Sequence, residues 1–600
     1  GGLDDVSGDG GNLVLANSGA ITTAGDSAHG VLLQSIGGGG GAVLGTGAST
    51  GVSLNSANSG FGGSISFDQV GNITTLGRGA YGLVVQSLGG GGGWVDGAFA
   101  GSAGGFGAGG AVDLNVNGMV FSAAENSVGA FVQSTGLLGG GNVTLNFADM
   151  VRGGSGTGAG IVVDGGADNT VTTLGSLSAV SGWALRTSSG DDKIENDGLT
   201  VGNFDLGGGN NAFHNALGAT YMAFNTMRLR DQTATTAGTA GPFMMRSAIA
   251  PLAMAAGSTA TFTNDGDFLM GLEGPRWSPD LAGGYVYPNM DDAGDPTTNL
   301  LYGARVINTV ALDGNFVQTS NGHMVFDVAF GPYASDRVNV TGDATVAGTA
   351  AINLMWLEND QPVTLFATEG KGVNEGMTVP DTLALRFGVL GDDAGIHLTV
   401  ASHFSQDFLM PNERRLGNHL DSALKEGGAN GIGRLMAAVG NLVAGQEGTY
   451  RKIFDELNPE GLIAPLQTHY REAGIFSDQL FQCRWKGMAG DHCVWANAGG
   501  TKMDQKADAD YWGATSRFYS LRTGVEQKLD HGWSVTGAIG YNRIDNISVN
   551  GGRYQAHGDS LDLGFGARHQ WENGADLSIK ATAGFQWLDS ERYMDVFAPA

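Results

Sequence analysis

A phrase that begins with glycine recurs four times in the first 230 residues, and this recurrence limits the fold more than any other feature. The copies begin at Gly30, Gly82, Gly129 and Gly182 and read GVLLQSIGGGGG, GLVVQSLGGGGG, GAFVQSTGLLGGG and GWALRTSSGDDK. Their spacings are 52, 47 and 53 residues, and no helical periodicity lies between them. A period near this length predicts a β-solenoid or a propeller. The unequal spacing favours an open solenoid, because its loops absorb differences in length.

A second phrase supports the same period. Ile21-Thr22-Thr23-Ala24-Gly25 is echoed at residues 73–77 and 171–175. Because solenoid coils contain roughly twenty-odd residues, we expect each long repeat to cover about two turns. Small aliphatic side chains would fill the interior, and ladders of Thr, Ser and Asn would lie outside. The glycine runs at 37–41 and 89–93 lack the Lys-Ser/Thr of a phosphate loop, so they are predicted to be flexible excursions.

The composition excludes several classes of protein. Charged residues make up 15% of the chain and the formal net charge is −28, whereas a nucleic-acid binder needs a basic face. The 104 glycines follow no Gly-X-Y period, which excludes collagen. No apolar run reaches the length of a membrane-spanning helix. Residues 244–256 look like a signal peptide but lie mid-chain and contain Pro251, so we interpret them as part of an irregular insertion at 231–300.

Regular alternation returns after residue 300, and here the chain resembles a known family. The segment 310–356 is similar to the C-terminal end of autotransporter passengers, the pertactin-like β-helix cap. The positions that carry the resemblance are Gly314, Phe316, Gln318, Gly322, Met324, Phe326, Val328, Ser335, Asp336, Val338, Val340, Gly342, Ala344, Val346 and Gly348. Thr319 after the glutamine, one extra residue before Gly322 and Met324 in place of leucine depart from the pattern. The resemblance implies that residues 301–405 close the solenoid and help the passenger to fold as it leaves the cell.

Helix formers dominate the next stretch. Short helices are predicted at 416–425, 432–443 and 450–457, and a longer one starts with Asn458 as N-cap and Pro459 at its first position. If residues 459–482 are mostly helical, they extend about 36 Å, long enough to thread a bilayer-sized pore. The alternative is an ordinary amphipathic helix on a soluble domain. The strands that follow favour the pore.

Long alternating runs follow the helices. Leu577, Ile579 and Phe585 fall on one face of a predicted strand, and Asp576 and Lys580 fall on the other. The same alternation occurs at 519–529, 533–541 and 560–571. Long strands with one charged face and terminal aromatic residues predict a transmembrane barrel with a wet interior, with short turns at 530–532 and 572–574 on the periplasmic side. About five strands are predicted, fewer than half of those in the autotransporter barrel that they resemble. Since the chain also opens without a signal peptide, we expect a fragment at both ends.

Cys483 and Cys493 are the two cysteines of the chain. In an exported protein, their closeness favours one local disulfide. A metal site that uses His492 is the alternative, although three scattered ligands lack the paired spacing of zinc motifs.

Several catalytic and metal-binding look-alikes are interpreted as accidental. Gly558-Asp559-Ser560-Leu561 spells an esterase motif inside a predicted barrel strand, and residues 47–51 match G-x-S-x-G without a following helix. Asp191, Asp192, Asp197 and Asp205 lack the nonapeptide calcium repeat, so polar turns are expected. We predict no catalytic, cofactor-binding or metal-ligating residue, and no cofactor.

The predicted fold is mainly all-β. It comprises a right-handed parallel β-helix passenger, a short α-helical linker and the N-terminal strands of an incomplete transmembrane antiparallel β-barrel. The predicted domains are a repeat β-helix at 1–230, an irregular insertion at 231–300, a β-helix cap at 301–405, a helical linker with a pore helix at 406–490 and a partial barrel at 491–600.

Three functional hypotheses follow. The first is a non-enzymatic autotransporter that exports its passenger through an outer-membrane barrel and displays an adhesin-like or structural fibre on the surface of a Gram-negative bacterium. The second is the stalk and translocator of an enzyme whose protease or esterase domain lies upstream. The third is a polysaccharide-cleaving β-helix, disfavoured by the few Lys and Arg residues in the repeats. The resemblance implies outer-membrane lipid, the outer-membrane assembly machinery and periplasmic chaperones as partners. A cell-surface ligand is expected but not identified, and nucleic acid is not expected.

Overall fold

The structure is a computed structural model that describes residues 8–43, 59–95, 98–102, 104–230, 260–270, 276–277, 285–286, 308–427, 431–483, 490–507 and 512–593. It divides into two compact units. The first unit contains Gly1–Ser402 and Ala423–Asn441, and the second contains His403–Ser422 and Leu442–Ala600.

The α-helices of the described residues follow the parallel strands in the sequence and precede the five long antiparallel strands. The α-helices are α1 Pro411–Lys425, α2 Gly433–Gly440, α3 Glu447–Leu457 and α4 Ile463–Asp478, and 3-10 turns occur at Pro459–Leu462, Asp530–Gly532 and Asn550–Gly552. None of the helices in the described residues is long and apolar enough to cross a membrane.

Three large sheets form the first unit, and each coil of the chain contributes one strand to each sheet in turn. The first sheet contains Leu13–Asn17, Ile65–Gln69, Val112–Val116, Val143–Phe147, Asp168–Thr173, Asp191–Asn196, Ala212–Asn215, Thr261–Asn264, Asn315–Gln318, Ala344–Val346 and Gly372–Asn374. The second sheet contains Ile21–Thr23, Ile73–Thr75, Val120–Ser122, Val151–Gly153, Ser176–Ala179, Leu199–Val201, Thr220–Ala223, Asp267–Met270, His323–Phe330 and Thr349–Leu357. The third sheet contains Val31–Ile36, Leu83–Leu88, Val128–Thr135, Ala159–Gly165, Trp183–Thr187, Asn203–Asp205, Thr226–Arg228, Thr309–Asp313, Arg337–Val340, Val363–Thr368, Gly395–Ser402 and Leu385–Asp392.

Alternation within each short strand fills the core of this stack. In Val112–Val116, the two valines and Leu114 are buried, while Asp113 is exposed. The same residues pair in parallel register with Ile65–Gln69 on one side and Val143–Phe147 on the other. Period-two alternation therefore places aliphatic side chains inside the coil and polar ones outside. The predicted parallel β-helix is confirmed.

The expected length of a coil is wrong for the first repeats. Ile73 pairs with Ile21 on one side and with Val120 on the other, so spacings of 52 and 47 residues are each one coil rather than two. The spacing of 53 residues does contain two coils, because Ala159–Gly165 lies between the third and fourth copies in the third sheet. Glycine-rich stretches lie between the third-sheet strand of one coil and the first-sheet strand of the next, and they add residues to the first two coils, so a count of residues does not give the number of coils.

One proposed echo of the Thr-Thr phrase is also wrong. Val171 pairs with Leu145 in the first sheet, whereas Ile21 and Ile73 pair with each other in the second. Its likeness to the earlier phrases is therefore not a structural correspondence.

The predicted flexibility of the glycine runs is likewise wrong for the described residues. Gly40–Val43 pairs in parallel with Gly92–Val95, which pairs antiparallel with Ala98–Ser102. A Cβ atom on Gly93 would lie 2.1 Å from the carbonyl oxygen of Gly41. Glycine thus permits a close approach of two backbones that a side chain would block.

Regular strands also interrupt the predicted irregular insertion at 231–300. Thr261–Asn264 and Asp267–Met270 continue the first and second sheets. Phe262 stacks on Phe213 at 5.3 Å and on Phe316 at 5.6 Å inside the coil, and this aromatic packing holds the isolated coil in the stack. A further pair, Arg276–Trp277 with Tyr285–Val286, is antiparallel. The signal-like segment 244–256 lies outside the described residues.

An amide ladder runs inside the coils, although the sequence predicts such ladders outside. Asn196 Nδ2 donates to Asn215 Oδ1 at 2.7 Å, and Asn215 Nδ2 donates to Asn264 Oδ1 at 2.7 Å. Asn264 Nδ2 then donates to Gln318 Oε1 at 3.1 Å. All four side chains are buried. Each side-chain amide donates a hydrogen bond to the next one, so these buried polar groups keep hydrogen-bond partners in the interior.

The C-terminal end of the solenoid departs from the parallel pattern. Gly395–Ser402 pairs antiparallel with both Val363–Thr368 and Leu385–Asp392. At the last strand of the second sheet, Asn441 Oδ1 accepts from Leu354 N at 3.1 Å and its Nδ2 donates to Leu354 O at 2.8 Å. One side chain thus satisfies both backbone groups of an edge residue, which blunts that edge.

The second unit contains a sheet of five antiparallel strands in sequence order, as the sequence predicts. They are His492–Gln505, Ala514–Lys528, Trp533–Val549, Tyr554–Gln570 and Asp576–Arg592. They have 14, 15, 17, 17 and 17 residues, about twice the length or more of a usual strand.

The predicted helix at 459–482 is shorter than expected. Residues 459–462 form a 3-10 turn, and α4 ends at Asp478, so its 16 residues extend about 24 Å. Asn458 is the C-cap of α3, where its backbone N–H bonds Phe454 O, rather than the N-cap of a new helix. After α4, Leu480 O accepts a hydrogen bond from Thr536 Oγ1 at 2.7 Å, so the chain bonds the neighbouring strand instead of continuing the helix.

Candidate functional site

The five-stranded sheet has an apolar face that is exposed. In the second strand, Tyr519, Leu521 and Val525 are 57%, 60% and 52% exposed. The other strands add exposed apolar side chains on the same face: Val494, Trp533, Val535, Ile539, Tyr541, Leu563, Phe565, Leu577, Ile579, Phe585 and Trp587. A sheet in water would bury this face against a core, so its exposure indicates an apolar surrounding.

Register defines the height of this apolar face. At the end joined by Asn550–Gly552, called the Asn550 end, Arg543 pairs with Asp559 in register and their side chains form an ion pair at 2.9 Å. At the opposite end, called the Trp533 end, Trp533 pairs with His569, and their rings contact at 4.9 Å. The apolar stretch between them, residues 533–541 in the third strand, matches the about 9–11 residues of a tilted transmembrane strand.

The opposite face of the sheet is polar and buried. Arg522, Glu526, Asn542, Ser560 and Asp562 are all at most 1% exposed. Each alternates with an exposed residue along its strand, so the polarity of the sheet is the reverse of a soluble one. α4 covers this polar face.

Glycines let α4 approach the strands closely. A Cβ atom on Gly564 would lie 2.6 Å from Leu480 Cδ2 and 2.8 Å from Phe476 Cε1. A Cβ atom on Gly540 would lie 3.2 Å from the same phenylalanine ring. Phe476 of α4 and Leu480 just after it therefore occupy space that a larger residue than glycine on the strands would fill.

A hydrogen-bond network joins α4 to three strands. Arg522 donates from Nη1 to Gln479 Oε1 at 3.0 Å and from Nη2 to Asn542 Oδ1 at 3.2 Å. Asn542 Nδ2 donates to Ser560 Oγ and to Asp562 Oδ2, both at 2.8 Å. Ser560 Oγ in turn donates to Glu472 Oε2 at 3.1 Å. The charged groups are linked through neutral amide and hydroxyl side chains, although Glu472 Oε1 and Arg522 Nε have no hydrogen-bond partner of their own among the described residues.

A second set of contacts lies toward the Trp533 end. Arg568 Nη2 donates to Glu526 Oε1 at 3.1 Å, and Cys483 N donates to Glu526 Oε2 at 3.3 Å. Arg568 Cζ also lies 4.7 Å from the centre of the Phe481 ring. Cys483 and Cys493 are joined by a disulfide, with their Cα atoms 6.2 Å apart. The chain therefore leaves the polar face here and enters the first strand.

The start of the covering segment lies at the Asn550 end. Arg592 Nη2 donates to Asn458 O at 2.7 Å, and Arg553 pairs with the buried Glu456 at 3.3 Å. A Cβ atom on Gly461 would contact the Tyr554 ring at 3.1 Å. The segment from Asn458 to Cys483 thus runs along the polar face from the Asn550 end to the Trp533 end.

The residues singled out in the sequence fall in different places. Ser560 of the esterase-like motif is buried in the network described above. Asp192 is buried and accepts from Asn169 Nδ2 at 2.7 Å, whereas Asp205 pairs with Arg228 at 3.3 Å in another sheet. Residues 47–51 lie outside the described residues. Among the described residues, no group of three or more His, Cys, Asp or Glu side chains could hold a metal ion.

The alternation in the sequence predicts the charged face of the strands. It does not predict which side chains form hydrogen bonds with that face. No sequence pattern assigns a role to Glu472 on α4, to Gln479 directly after it, or to Asn542 on the third strand. Glycines at 540, 564 and 566, on the charged face of otherwise bulky strands, were the available signal, because such glycines mark the close approach of another segment.

These features define a class of protein. An apolar outer face, a charged inner face and a segment lying along that inner face are the properties of a transmembrane β-barrel wall with an occupied lumen. Residues 494–598 match the family model for the Autotransporter beta-domain. This part of the chain is therefore an autotransporter beta-domain, preceded by parallel sheets of the β-helix type. Comparisons with curated proteins and with solved structures found no match.

Proposed function

We propose that this protein exports its own β-helical part through its beta-domain and displays it at the cell surface as an adhesin-like or structural fibre. The observation that carries the proposal is the segment along the charged face of the sheet. Hydrogen bonds with buried charged side chains hold it where an exported chain would pass, and the exposed apolar side chains lie on the other face of the same sheet.

The direction of this segment supports export. Short turns of autotransporter-like barrels lie on the periplasmic side, and the Asp530–Gly532 turn is at the Trp533 end. Since the segment begins at the Asn550 end, the chain before it would leave the membrane on the outer side. The proposed location is thus the outer membrane of a Gram-negative bacterium for the strands, and the cell surface for the solenoid.

The proposed partners follow from the same surfaces. Lipid would cover the apolar face, because open water there would leave large apolar side chains solvated. Outer-membrane assembly machinery and periplasmic chaperones are proposed from the resemblance to autotransporters. The solenoid suits a fibre, since each coil contacts its neighbours and presents a continuous outer face.

Surface display can be tested in a Gram-negative host that expresses the full gene. Protease added to intact cells is expected to digest the solenoid while the strands remain in the outer-membrane fraction. Cells that display the protein should also adhere to one another or to surfaces more than cells without it. Recovery of the protein in the cytosol, or a solenoid that becomes protease-sensitive only after lysis, would contradict the proposal.

A pair of variants makes the test specific. Phe565 and Leu217 are 66% and 74% exposed, but only the first lies on the apolar face of the beta-domain. Phe565→Arg should prevent insertion, because a cation near the middle of the lipid face costs about 2–4 kcal/mol. Leu217→Arg should be displayed normally. Equal display of the two variants would count against a lipid-facing sheet.

A further inference from the structure

A cavity of about 390 Å³ opens on the outer face of the third sheet, near the C-terminal end of the solenoid. Its volume lies within the range of small-molecule sites. Two successive coils build it. The loop at 331–336 connects His323–Phe330 to Arg337–Val340, and the loop at 358–362 connects Thr349–Leu357 to Val363–Thr368. The residues that supply its chemistry are Thr309, Tyr333, Arg337, Asn359, Gln361 and Thr364.

The first loop is held in place at its base. Ser335 Oγ accepts from Ala329 N at 2.8 Å. The buried Asp336 accepts from Asn308 N and Asp327 N, both at 2.7 Å. These bonds fix the loop before any ligand arrives, and preorganisation of this kind lowers the cost of binding.

An aromatic platform forms one wall. Tyr333 is 57% exposed, and its ring packs edge-on against Trp356 with the ring centres 4.7 Å apart. Trp356 Nε1 donates to Glu358 Oε2 at 3.2 Å, which orients the indole beneath the tyrosine. A supported and exposed aromatic ring offers a flat apolar surface to the C–H face of a sugar.

Amide groups of Asn359 and Gln361 also line the cavity. Asn359 Oδ1 accepts from the backbone N–H of Gln361 at 3.1 Å, so its Nδ2 group remains as a donor toward the cavity. Thr309 adds a hydroxyl group that can donate and accept, and the Thr364 hydroxyl, which already bonds His397 Nδ1 at 3.1 Å, has one further role to offer. A ring of hydroxyl groups on a ligand could use each of these partners.

A cation, Arg337, lines the same cavity. Arg337 pairs in register with Thr309, and both alternate with the buried Val310 and Val338, so they face outward. Within the described residues, Arg337 forms no ion pair. The group of a ligand that suits an unpaired guanidinium is a carboxylate, because Arg binds it through two hydrogen bonds in one plane. The chain as a whole has a net charge of −28, so the cation at this site is a local exception.

We propose that this cavity binds a sugar residue that carries a carboxylate group. Tyr333 stacks on the ring of the sugar, Arg337 binds the carboxylate, and Asn359, Gln361 and the threonines contact the hydroxyl groups. The site adds a ligand class to the proposed surface role, because it gives the displayed solenoid an acidic glycan to bind. Its biological use rests on the proposed function.

Calorimetry on the purified full chain in detergent measures binding of a probe to the site. Because the protein is purified, the result does not depend on export. The probe is an oligosaccharide that contains glucuronate, and the matched neutral probe contains glucose at the same position. The acidic oligosaccharide should bind saturably and more tightly than the neutral one. Arg337→Gln should weaken binding of the acidic probe about tenfold or more, because it removes a charge-assisted contact, and should leave the neutral probe unchanged.

Three further variants isolate the site. Arg386 is an exposed arginine of the same unit outside the cavity, and Arg386→Gln should leave binding of the acidic probe unchanged. Tyr333→Phe should retain binding that Tyr333→Ala loses. Absence of saturable binding to the acidic probe, equal effects of Arg337→Gln and Arg386→Gln, or preference for glucose 6-phosphate over glucuronate would each overturn the proposal. Failure of surface display with intact binding would overturn only the proposed location.

Discussion

Glu472 on α4 accepts a hydrogen bond from the Ser560 hydroxyl of the fourth strand of the beta-domain at 3.1 Å, and both side chains are fully buried. This contact ties the covering segment to the wall. Ser560 also accepts from Asn542, so the serine couples the helix to the network that contains Arg522.

Removal of this hydroxyl should weaken the beta-domain. Ser560→Ala removes the one hydrogen-bond donor that the described residues provide to the buried Glu472 carboxyl group, which costs about 1–3 kcal/mol. The free energy of unfolding of the full chain in detergent, measured with urea through tryptophan fluorescence, checks this value. Ser578→Ala alters an exposed serine in the fifth strand and serves as control. If the two variants unfold alike, the contact with Glu472 does not stabilise the fold.

An added methyl group should distinguish the two faces of the sheet. Gly564→Ala brings a Cβ atom within 2.6 Å of Leu480, whereas Gly537→Ala meets nothing nearer than the Phe565 ring at 3.7 Å. Overpacking costs about 1–3 kcal/mol, so only the first variant should lose stability or show a displaced helix. The same urea titration, together with protease sensitivity of the α4 segment, measures both effects. Equal stability of Gly564→Ala and the parent would show that α4 does not lie against this strand.

Buried Asp192 makes the solenoid sensitive to pH. Burial raises the pKa of Asp192 from 3.8 to about 7, although hydrogen bonds from Thr187 and Asn169 act in the opposite direction. A carboxyl group whose pKa is raised in the folded state contributes stability that is complete below about pH 4 and is lost as the pH rises through about 7. The solenoid should therefore become less stable between these values.

The variant Asp192→Asn should remove this loss, and at pH 7 it should be more stable than the parent by an amount on the order of a few kcal/mol. Pulse proteolysis of the full chain between pH 4 and 8, scored on the solenoid fragment, gives the profile. Asp197→Asn, at an exposed position, should keep the parent profile. A flat profile in the parent would refute the assignment to Asp192.

Reduction of the disulfide should act on the beta-domain. The bond closes a loop with a sequence separation of 10, and loops of this size contribute about 2–3 kcal/mol. Because Cys483 and Cys493 are the only cysteines in the sequence, a reductant has one target. The urea midpoint of the strands should fall in the parent, while a variant with both cysteines changed to serine should not respond to reductant.

Local periodicity explains what the sequence predicted well. Alternation along 519–529 and 533–541 depends only on neighbouring residues, and the exposed Leu521 beside the buried Arg522 confirms it. The same holds for residues 310–356, which also alternate in the sequence and in which Phe316, Met324 and Val338 are buried.

Pairing across long distances explains the errors. Which strand follows which in a stack depends on loops whose length carries no pattern, so Val171 was matched to the wrong sheet. An asparagine reveals nothing about whether a second asparagine lies one coil above it, so the inner position of Asn215 could not be predicted. The end of α4 depends on Thr536, a residue 56 positions away from Leu480.

The amide ladder has a consequence for how such a protein can diversify. Its rungs join residues separated by 19, 49 and 54 positions, yet each step is one hydrogen bond from a side-chain amide nitrogen to a side-chain amide oxygen. The hydrogen bonds between these amides therefore align neighbouring coils, whatever the number of residues in the chain between them. Insertions and deletions of tens of residues can therefore accumulate between the strands of a coil. They would change the outer surface of the solenoid in related proteins and leave the interior of the coils unaltered.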